Sequence, residues 1–501
     1  MSQIAMPEGA SPSPADEKPK KKAHPTPWRD NVEAMLMAVV MALVLKYFVV
    51  EAYRIPTGSM QPTLMGNAST GIYDRILVDK WSYQVRDPKR WEVAVFRYPL
   101  DRSKNFVKRI VGVGPEEFRI AWGDLWHRQN ADEAWQILRR PSNVQEETWL
   151  ALAKQEPSSP LFFGTTGDKW QAERDVTLEG DFRMRFGATR ASVMDGYWDG
   201  YPDSIKDDIP ASRRGSNSHP VGDLRIDGKV TVDADVVEVE VELQEGAMRY
   251  HFILPGPAAP ETDVARIAVR DKRVMIGDNL PIELDAKSEG LRLEAGRTYD
   301  FAAHNLDDLL ELFVDGERLC SLEIDASASQ AAKLYVETYG GQTKFEDLMV
   351  YRDIYYTADS ALVSDTKIPA GHYFMMGDNT LDSSDSRMWQ LHHFDRQTDD
   401  GSIERISGNH RMGNGAQSQS DFEADVNPFT SSMGTDDLRP ITWFRDEWGE
   451  LHTFEAGEAS DKGLVPESAP FVPRHMMLGR AISVFWPLKP LDGIWRFKKV
   501  D

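Results

Sequence analysis

The chain has 501 residues, with 58 Lys and Arg against 80 Asp and Glu and a formal net charge of −22. That length is too great for one ordinary hydrophobic core, so two or three domains are expected. So acidic a chain lacks the basic footprint that a nucleic-acid partner demands, and its single cysteine, Cys320, excludes an intrachain disulfide.

Residues 1–27 are rich in Pro, Ser, Lys and Ala without an apolar period, and read as a disordered tail. Lys18, Lys20, Lys21, Lys22 and Arg29 form a basic cluster ahead of an apolar run from Ala34 to Val50, broken only by Lys46. At ~1.5 Å per helical residue, about 17–20 such residues cross a hydrocarbon core of ~30 Å. We assign 28–52 as a single membrane anchor. Lys46 can snorkel to the interface, and Tyr47, Phe48 and Tyr53 suit an aromatic belt. The basic cluster predicts a cytoplasmic N-terminus with the bulk of the chain on the far side. A cleavable leader is disfavoured because Glu51-Ala-Tyr-Arg-Ile-Pro56 offers no small-x-small cleavage site.

Just beyond the anchor stands Arg54-Ile-Pro-Thr-Gly-Ser59-Met-Gln-Pro-Thr-Leu-Met65, a serine in a turn shaped by Gly and Pro. Residues 53–128 then read as short strands, among them Ile72–Asp79, Glu92–Arg97 and Phe106–Val113. The last of these carries Lys108 between Val107 and Ile110-Val111. A serine hydroxyl is a weak nucleophile until a base takes its proton. None of the histidines stands in a triad setting, and no G-x-S-x-G elbow is present. A lysine can replace histidine if it is neutral. Its free pKa of ~10.4 falls by several units on burial, and a shift of ~2–4 units corresponds to roughly 3–5 kcal/mol of differential solvation. The apolar neighbours of Lys108 would supply that environment in a core strand.

Residues 129–167 read as a helical connector, with Ala131, Trp135, Leu138, Trp149 and Leu152 on one face and a break at Pro141. From 168 to 356 the texture becomes that of an antiparallel β-sandwich. Val237-Glu-Val-Glu-Val-Glu-Leu243 alternates strictly, as a half-solvated strand does. Asp315-Gly316 marks a hairpin between two apolar runs. Cys320, in the apparent strand Val314–Ile324, reads as a buried structural thiol. Residues 357–394 return to the first domain and include Met375-Met-Gly-Asp-Asn-Thr-Leu-Asp-Ser383-Ser-Asp385-Ser-Arg387. This stretch is dense in groups able to orient an amine, and Asp385 with Arg387 suits a charge-assisted pair. Its spacing does not fit an EF-hand loop, and His392-His393 with Asp395 reads as a solvated loop rather than a metal site. Residues 395–463 form a polar insertion, expected to be partly disordered. Residues 464–501 supply a third piece of the first domain, with Met476–Trp486 as a buried strand.

These three blocks, in this order behind an apolar span, resemble those of type I signal peptidases, the membrane-bound Ser-Lys proteases that remove signal peptides from exported proteins. Ile55–Leu64 is similar to the family's nucleophile box, Lys108–Gly112 to its general-base box, and Gly377–Arg387 to its third box. The resemblance covers about 52–126, 366–388 and 464–490, and 308–352 resembles a laminin-G/concanavalin-like sandwich. It implies a mainly β fold: a single transmembrane helix, a signal-peptidase-type catalytic core and an inserted antiparallel sandwich. It also implies Ser59 as nucleophile and Lys108 as general base, with the Ser59 N–H and the Thr57 hydroxyl as oxyanion hole. Ser383 would orient Lys108, and Asp385 with Arg387 would support the site. The implied partners are preprotein signal peptides and the lipid bilayer of a plasma (inner) membrane, with no nucleic acid and no metal or organic cofactor. Cleavage would follow small residues at the first and third positions before the cut.

The chain departs from the family pattern at Thr380 and Leu381, where Arg and Asp are usual, which predicts a weaker ion-pair network without loss of Ser383. It departs again at Val113-Gly-Pro-Glu116, where the local turn differs. A competing reading is a membrane-tethered binding protein with a degenerate core, using a sandwich whose ligand the sequence leaves open. A self-cleaving Ser-Lys protease that controls a regulator would need a helix-turn-helix, which is not found.

Overall fold

The computed structural model describes residues 27–67, 72–154, 162–166, 175–187, 192–196, 199, 219–271, 282–288, 290–325, 331–358, 365–398, 400–409, 441–455, 459–460, 467–489, 494–495 and 497–500. The tail 1–26 and much of the polar insertion lie outside them. The chain divides into two units, Met1–Val49 and Val50–Asp501.

In the first unit an α-helix runs over Pro27–Val44 and passes into a π-helical turn at Leu45–Val49. The window Asn31–Val49 is long and apolar enough to cross a membrane, and none of it is buried against protein. The anchor assigned to 28–52 is therefore too long at its end. Val50–Arg54 is a strand of the second unit, paired antiparallel with Arg75–Asp79. Tyr53 packs there against a core cluster and donates to Glu51 Oε2 at 2.9 Å, so it belongs to the folded domain rather than to an interfacial belt.

The second unit is almost wholly antiparallel β. Its catalytic-type sheet has the strand order Val50–Arg54, Arg75–Asp79, Met477–Trp486, Val93–Tyr98, Asp101–Val113, His372–Met376, Phe471–Pro473. The chain's last long strand thus inserts between two of its first, which draws residues from 50–113, 372–376 and 471–486 into one sheet. Met477–Trp486 alternates buried and half-buried positions rather than being buried throughout, because only one of its faces meets the core. A smaller sheet of Thr366–Ile368, Glu116–Ala121, Asp124–Arg128 and Gln136–Ile137 packs beside it.

Two seven-stranded sheets follow, and their facing side chains, from Phe162 and Val176 to Val350, form one shared hydrophobic cluster, as in a sandwich. The Asp315-Gly316 turn has positive φ at both residues and joins Leu309–Val314 to Glu317–Glu323. Cys320 is buried in the second of these strands, and burial pushes its thiol up to about 11.

Three expectations change. Among the described residues of the helical connector, strand outweighs helix. There only Ser142–Thr148 is helical, beginning directly after Pro141. Leu150–Lys154 pairs with Gln342–Arg352 in one sandwich sheet, and Phe162–Thr166 pairs with Phe182–Phe186 in the other. The apolar residues taken for one helical face have separate partners instead: Trp135 lies under Arg119 and Arg128, while Leu138 joins the core beside the small sheet. The strand within 237–243 is not half-solvated, because Glu240 and Glu242 are buried against His251, Arg183 and Arg249 from neighbouring strands. The described part of 395–463 is an ordered sheet. Gln390–Gln397, Ile403–Asn409, Ile441–Asp446 and Leu451–Glu455 pair in succession, and their charges pair across strands, as Arg405 with Asp395, which reads as polarity in sequence.

Candidate active site

Residues 55–66 are pinned from several sides. The N–H of Ile55 donates to Asp74 O at 2.9 Å, and the N–H of Met65 donates to Asp74 Oδ2 at 2.8 Å. The N–H of Gln61 donates back to Gly58 O at 3.0 Å, closing the turn that contains Ser59. Gly66 lies so close to this turn that a Cβ on it would stand 2.5–2.7 Å from Ile55 O, Thr57 O and Thr57 N. Ser59 is 3% exposed, and Thr57 is half-buried.

Lys108 lies within Asp101–Val113, a strand buried without interruption from Lys108 to Gly112. It is 1% exposed, and its Nζ donates to Ser383 Oγ at 3.2 Å. Ser383 Oγ donates in turn to Asp385 Oδ2 at 2.8 Å. The same oxygen accepts the Gly377 N–H at 3.1 Å and Arg387 Nη2 at 2.9 Å, while Arg387 Nε reaches Asp385 Oδ1 at 2.8 Å. Arg387 is fixed from behind by Thr357 Oγ1 at 2.8 Å. Burial acts to raise the Asp385 pKa, but the charge and hydrogen bonds of Arg387, the charge of Lys108 and the Gly377 N–H outweigh it, and the carboxyl is held below the usual carboxylate range.

Gly377 brings the blocks together. A Cβ there would stand 2.3 Å from both Ser59 O and Ser383 Oγ. Asn379 adds two bonds to the serine turn, from its N–H to Ser59 O and from its Nδ2 to Gly58 O, each 3.1 Å. Ser59 and Lys108 therefore flank one turn, although among the described residues their side chains share no direct hydrogen bond. The structure gathers Thr57, Ser59, Lys108, Ser383, Asp385 and Arg387 into one buried locality.

Asp378 was not singled out from the sequence, yet it ties the three blocks. It accepts Arg109 Nε and Nη2 at 2.9 Å each and a further bond from the Thr63 side chain. Burial works against its ionisation, but Arg109 above all overrides it and keeps this carboxyl low as well. Its sequence signal was the apposition of Arg109, next to the candidate base, with an acidic residue next to Gly377. Thr380, one of the departures, donates to Tyr355 O at 2.8 Å. In the His392-His393-x-Asp395 stretch, His393 Nδ1 lies 2.7 Å from Ser407 Oγ, and Asp395 is engaged by Arg405.

Residues 28–156 and 311–404 match the family described as Signal peptidase, peptidase S26. The chain is 39% identical over 118 residues to "Probable signal peptidase I-2" of Synechocystis sp. (strain ATCC 27184 / PCC 6803 / Kazusa), covering 22% of this chain and 51% of the relative. It is 44% identical over 85 residues to "Signal peptidase I" of Pseudomonas fluorescens, covering 15% of this chain and 28% of the relative. The chain thus spans about half or less of the length of these S26 relatives. Among solved structures, the carbohydrate binding module CBM66 from Bacillus subtilis is similar at 8% identity and a TM-score of 0.24, over 38% of this chain and 95% of that one. The Caenorhabditis elegans galectin LEC-6 is similar at 10% identity and a TM-score of 0.21, over 26% and 83%. Likenesses at that level assign the sandwich no ligand.

Proposed function

We propose that this chain is a membrane-anchored serine endopeptidase with a Ser-Lys dyad, which removes N-terminal signal peptides from exported preproteins. One observation carries the reading: the buried Lys108 amine is bonded to Ser383 on the same Gly377 turn that abuts Ser59.

In this reading the deprotonated amine of Lys108 takes the proton of Ser59 Oγ as that oxygen attacks the scissile carbonyl. The charge that develops on the carbonyl oxygen is met by the Ser59 N–H and the Thr57 hydroxyl, donors on a segment whose backbone packs closely against Gly66. The protonated lysine then gives its proton to the departing amine, leaving an ester on Ser59. Water hydrolyses the ester, with Lys108 again as base. Ser383, held by Asp385 and Arg387, restricts the amine to a position useful in both half-reactions.

The substrate is an extended segment bound beside a strand, with small residues at the first and third positions before the cut. The apolar helix serves as a single-pass anchor with a cytoplasmic N-terminus, and the second unit works on the outer side of a plasma (inner) membrane. The sandwich serves this arrangement as an insertion in the protease core.

The test uses the full chain in detergent and a preprotein with Ala at both of those positions. Ser59→Ala and Lys108→Ala are each expected to abolish cleavage while far-UV circular dichroism and the unfolding midpoint stay close to those of the parent. Full activity in either variant overturns the assignment.

A further inference from the structure

Away from the candidate active site, three carboxylates converge where the small sheet of the protease core meets the sandwich. Asp124 opens the strand Asp124–Arg128, Asp223 directly precedes the strand Leu224–Val232, and Asp307 sits in the tight turn between Thr298–Leu306 and Leu309–Val314. One carboxylate oxygen from each lies within 4.8 Å of the others. Oxygens that coordinate a single calcium ion at ~2.4 Å are at most ~4.8 Å apart.

Arg140 and Arg139 balance the charge of this cluster only in part, since they lower Asp307 without outweighing its burial. Arg140 is spent on Asp353, at 2.8 Å. Arg139 donates to the backbone carbonyl of Asp307 and to Glu323 rather than to the Asp307 carboxylate. Glu245 and Asp308 add negative potential at the same place.

A second observation points to a ligand. Asp307 is only 4% exposed, and its Oδ2 has no hydrogen-bond partner. Asn305, at 1% exposure, turns its amide to Gly222 O beside Asp223, and its Oδ1 is also without a partner. A buried acceptor left in this state costs about 1–3 kcal/mol, and more when charged. Nature leaves such groups unmatched where something else fills the gap.

We propose that Asp124, Asp223 and Asp307 bind a structural calcium ion that fastens the sandwich to the protease core. The donor set is all oxygen, with no sulfur or imidazole, which selects a hard divalent cation over zinc. Calcium fits better than magnesium because it takes many protein oxygens in irregular geometry, whereas magnesium keeps a near-ideal octahedron with several waters. Asn305 Oδ1, buried and without a partner, is a neutral oxygen available to the shell. The ion takes no part in peptide hydrolysis, so this proposal stands apart from the peptidase reading.

The test is a calorimetric titration of EDTA-stripped full chain in detergent with CaCl2, repeated with MgCl2. Saturable binding of one calcium ion is expected, together with a rise in the thermal unfolding midpoint. Asp223→Asn and Asp307→Asn are expected to weaken calcium binding by at least about tenfold, the smaller loss known for residues that merely support a metal ligand. Asp223 is half-buried, so its variant serves if Asp307→Asn fails to fold. The proposal is overturned by absent saturation up to about 10 mM calcium, which is weaker than extracellular calcium modules of ~10⁻³ M. It is equally overturned by unchanged calcium affinity in the folded variants, or by magnesium binding as tightly as calcium.

Discussion

Arg109 and Asp378 form a two-pronged ion pair, Nε to Oδ1 and Nη2 to Oδ2, both at 2.9 Å and both sealed from water. Arg109 follows the candidate base Lys108 in the chain, and Asp378 follows Gly377, so the pair fastens the base strand to the turn that abuts Ser59. Arg109 is also tied to the carbonyl of Trp91 at 2.8 Å. Fully buried pairs of this kind leave a stranded charge when one partner is removed. Asp378→Ala is expected to cost about 3–5 kcal/mol in denaturant unfolding. The double variant Arg109→Met, Asp378→Leu should cost less than the sum of the singles; additivity would show that the two residues are not coupled.

Gly377 makes a sharper test of the site than either catalytic candidate. Gly377→Ala places a methyl group where Ser59 O and Ser383 Oγ already stand, so both must retreat. A displacement of about 1 Å at such a position can cost roughly a hundredfold in rate. We expect a loss of that order in kcat, with KM for a preprotein changed far less. Unchanged turnover would mean that the Ser59 and Ser383 segments need not be held so close.

Ser383→Ala removes the acceptor of the Lys108 amine and the donor to Asp385. Cleavage should fall by roughly tenfold to a hundredfold through misplacement of the amine, and Ser383→Thr, which keeps the hydroxyl, should recover part of it. A purely structural role predicts instead that the loss follows stability and that Thr brings no recovery of rate at equal folding.

The three blocks that the fold brings together were legible in the sequence because each is local. Ile55–Leu64, Lys108–Gly112 and Gly377–Arg387 each pair a distinctive residue with Gly or Pro that shapes its turn, and those signals survive without knowledge of the fold. The sandwich was legible through its Asp315-Gly316 hairpin and its alternating strands. The connector was misread because Trp135, Leu138, Trp149 and Leu152 mimic a helical period while serving different partners. The described strands of the polar insertion were not legible because they satisfy charges across the sheet, as Arg405 does with Asp395. Asp378 and the Asp124–Asp223–Asp307 cluster could not be seen, since each depends on residues brought together across more than eighty positions of chain.

Acid should destabilise the candidate catalytic core through Asp378 and Asp385. Both carboxyls are held below their ordinary range, the first chiefly by Arg109 and the second by Arg387, against burial that acts the other way. A depressed folded pKa means that the unfolded chain takes up protons first. The stabilisation is therefore complete above the unfolded value of ~3.9 and is lost as pH falls below it. Unfolding midpoints should drop steeply for the parent below about pH 4, while Asp378→Asn, already weakened, should show a shallower acid limb. Parallel acid limbs would remove Asp378 as a contributor.

The seam carboxylates should respond in the opposite sense. Burial pushes Asp307 up to about 7 despite Arg140 and Arg139, with Asp353 and Asp308 adding to the rise. Burial and Glu245 likewise push Asp308 up to about 7, and burial raises Asp124 and Asp223 well above the ordinary range, helped by Asp307 for the first and by Asp124 for the second. Between the unfolded value of ~3.9 and about 7 the folded chain therefore holds more protons than the unfolded one, and stability contributed here declines as pH rises through that window. Calcium requires the same groups ionised, so its binding competes with those protons. In EDTA the unfolding midpoint should fall between pH 5 and pH 8, calcium should restore it, and the calcium-induced increment should be the larger at pH 8. An increment equal at both pH values would mean that calcium acts somewhere other than at Asp307.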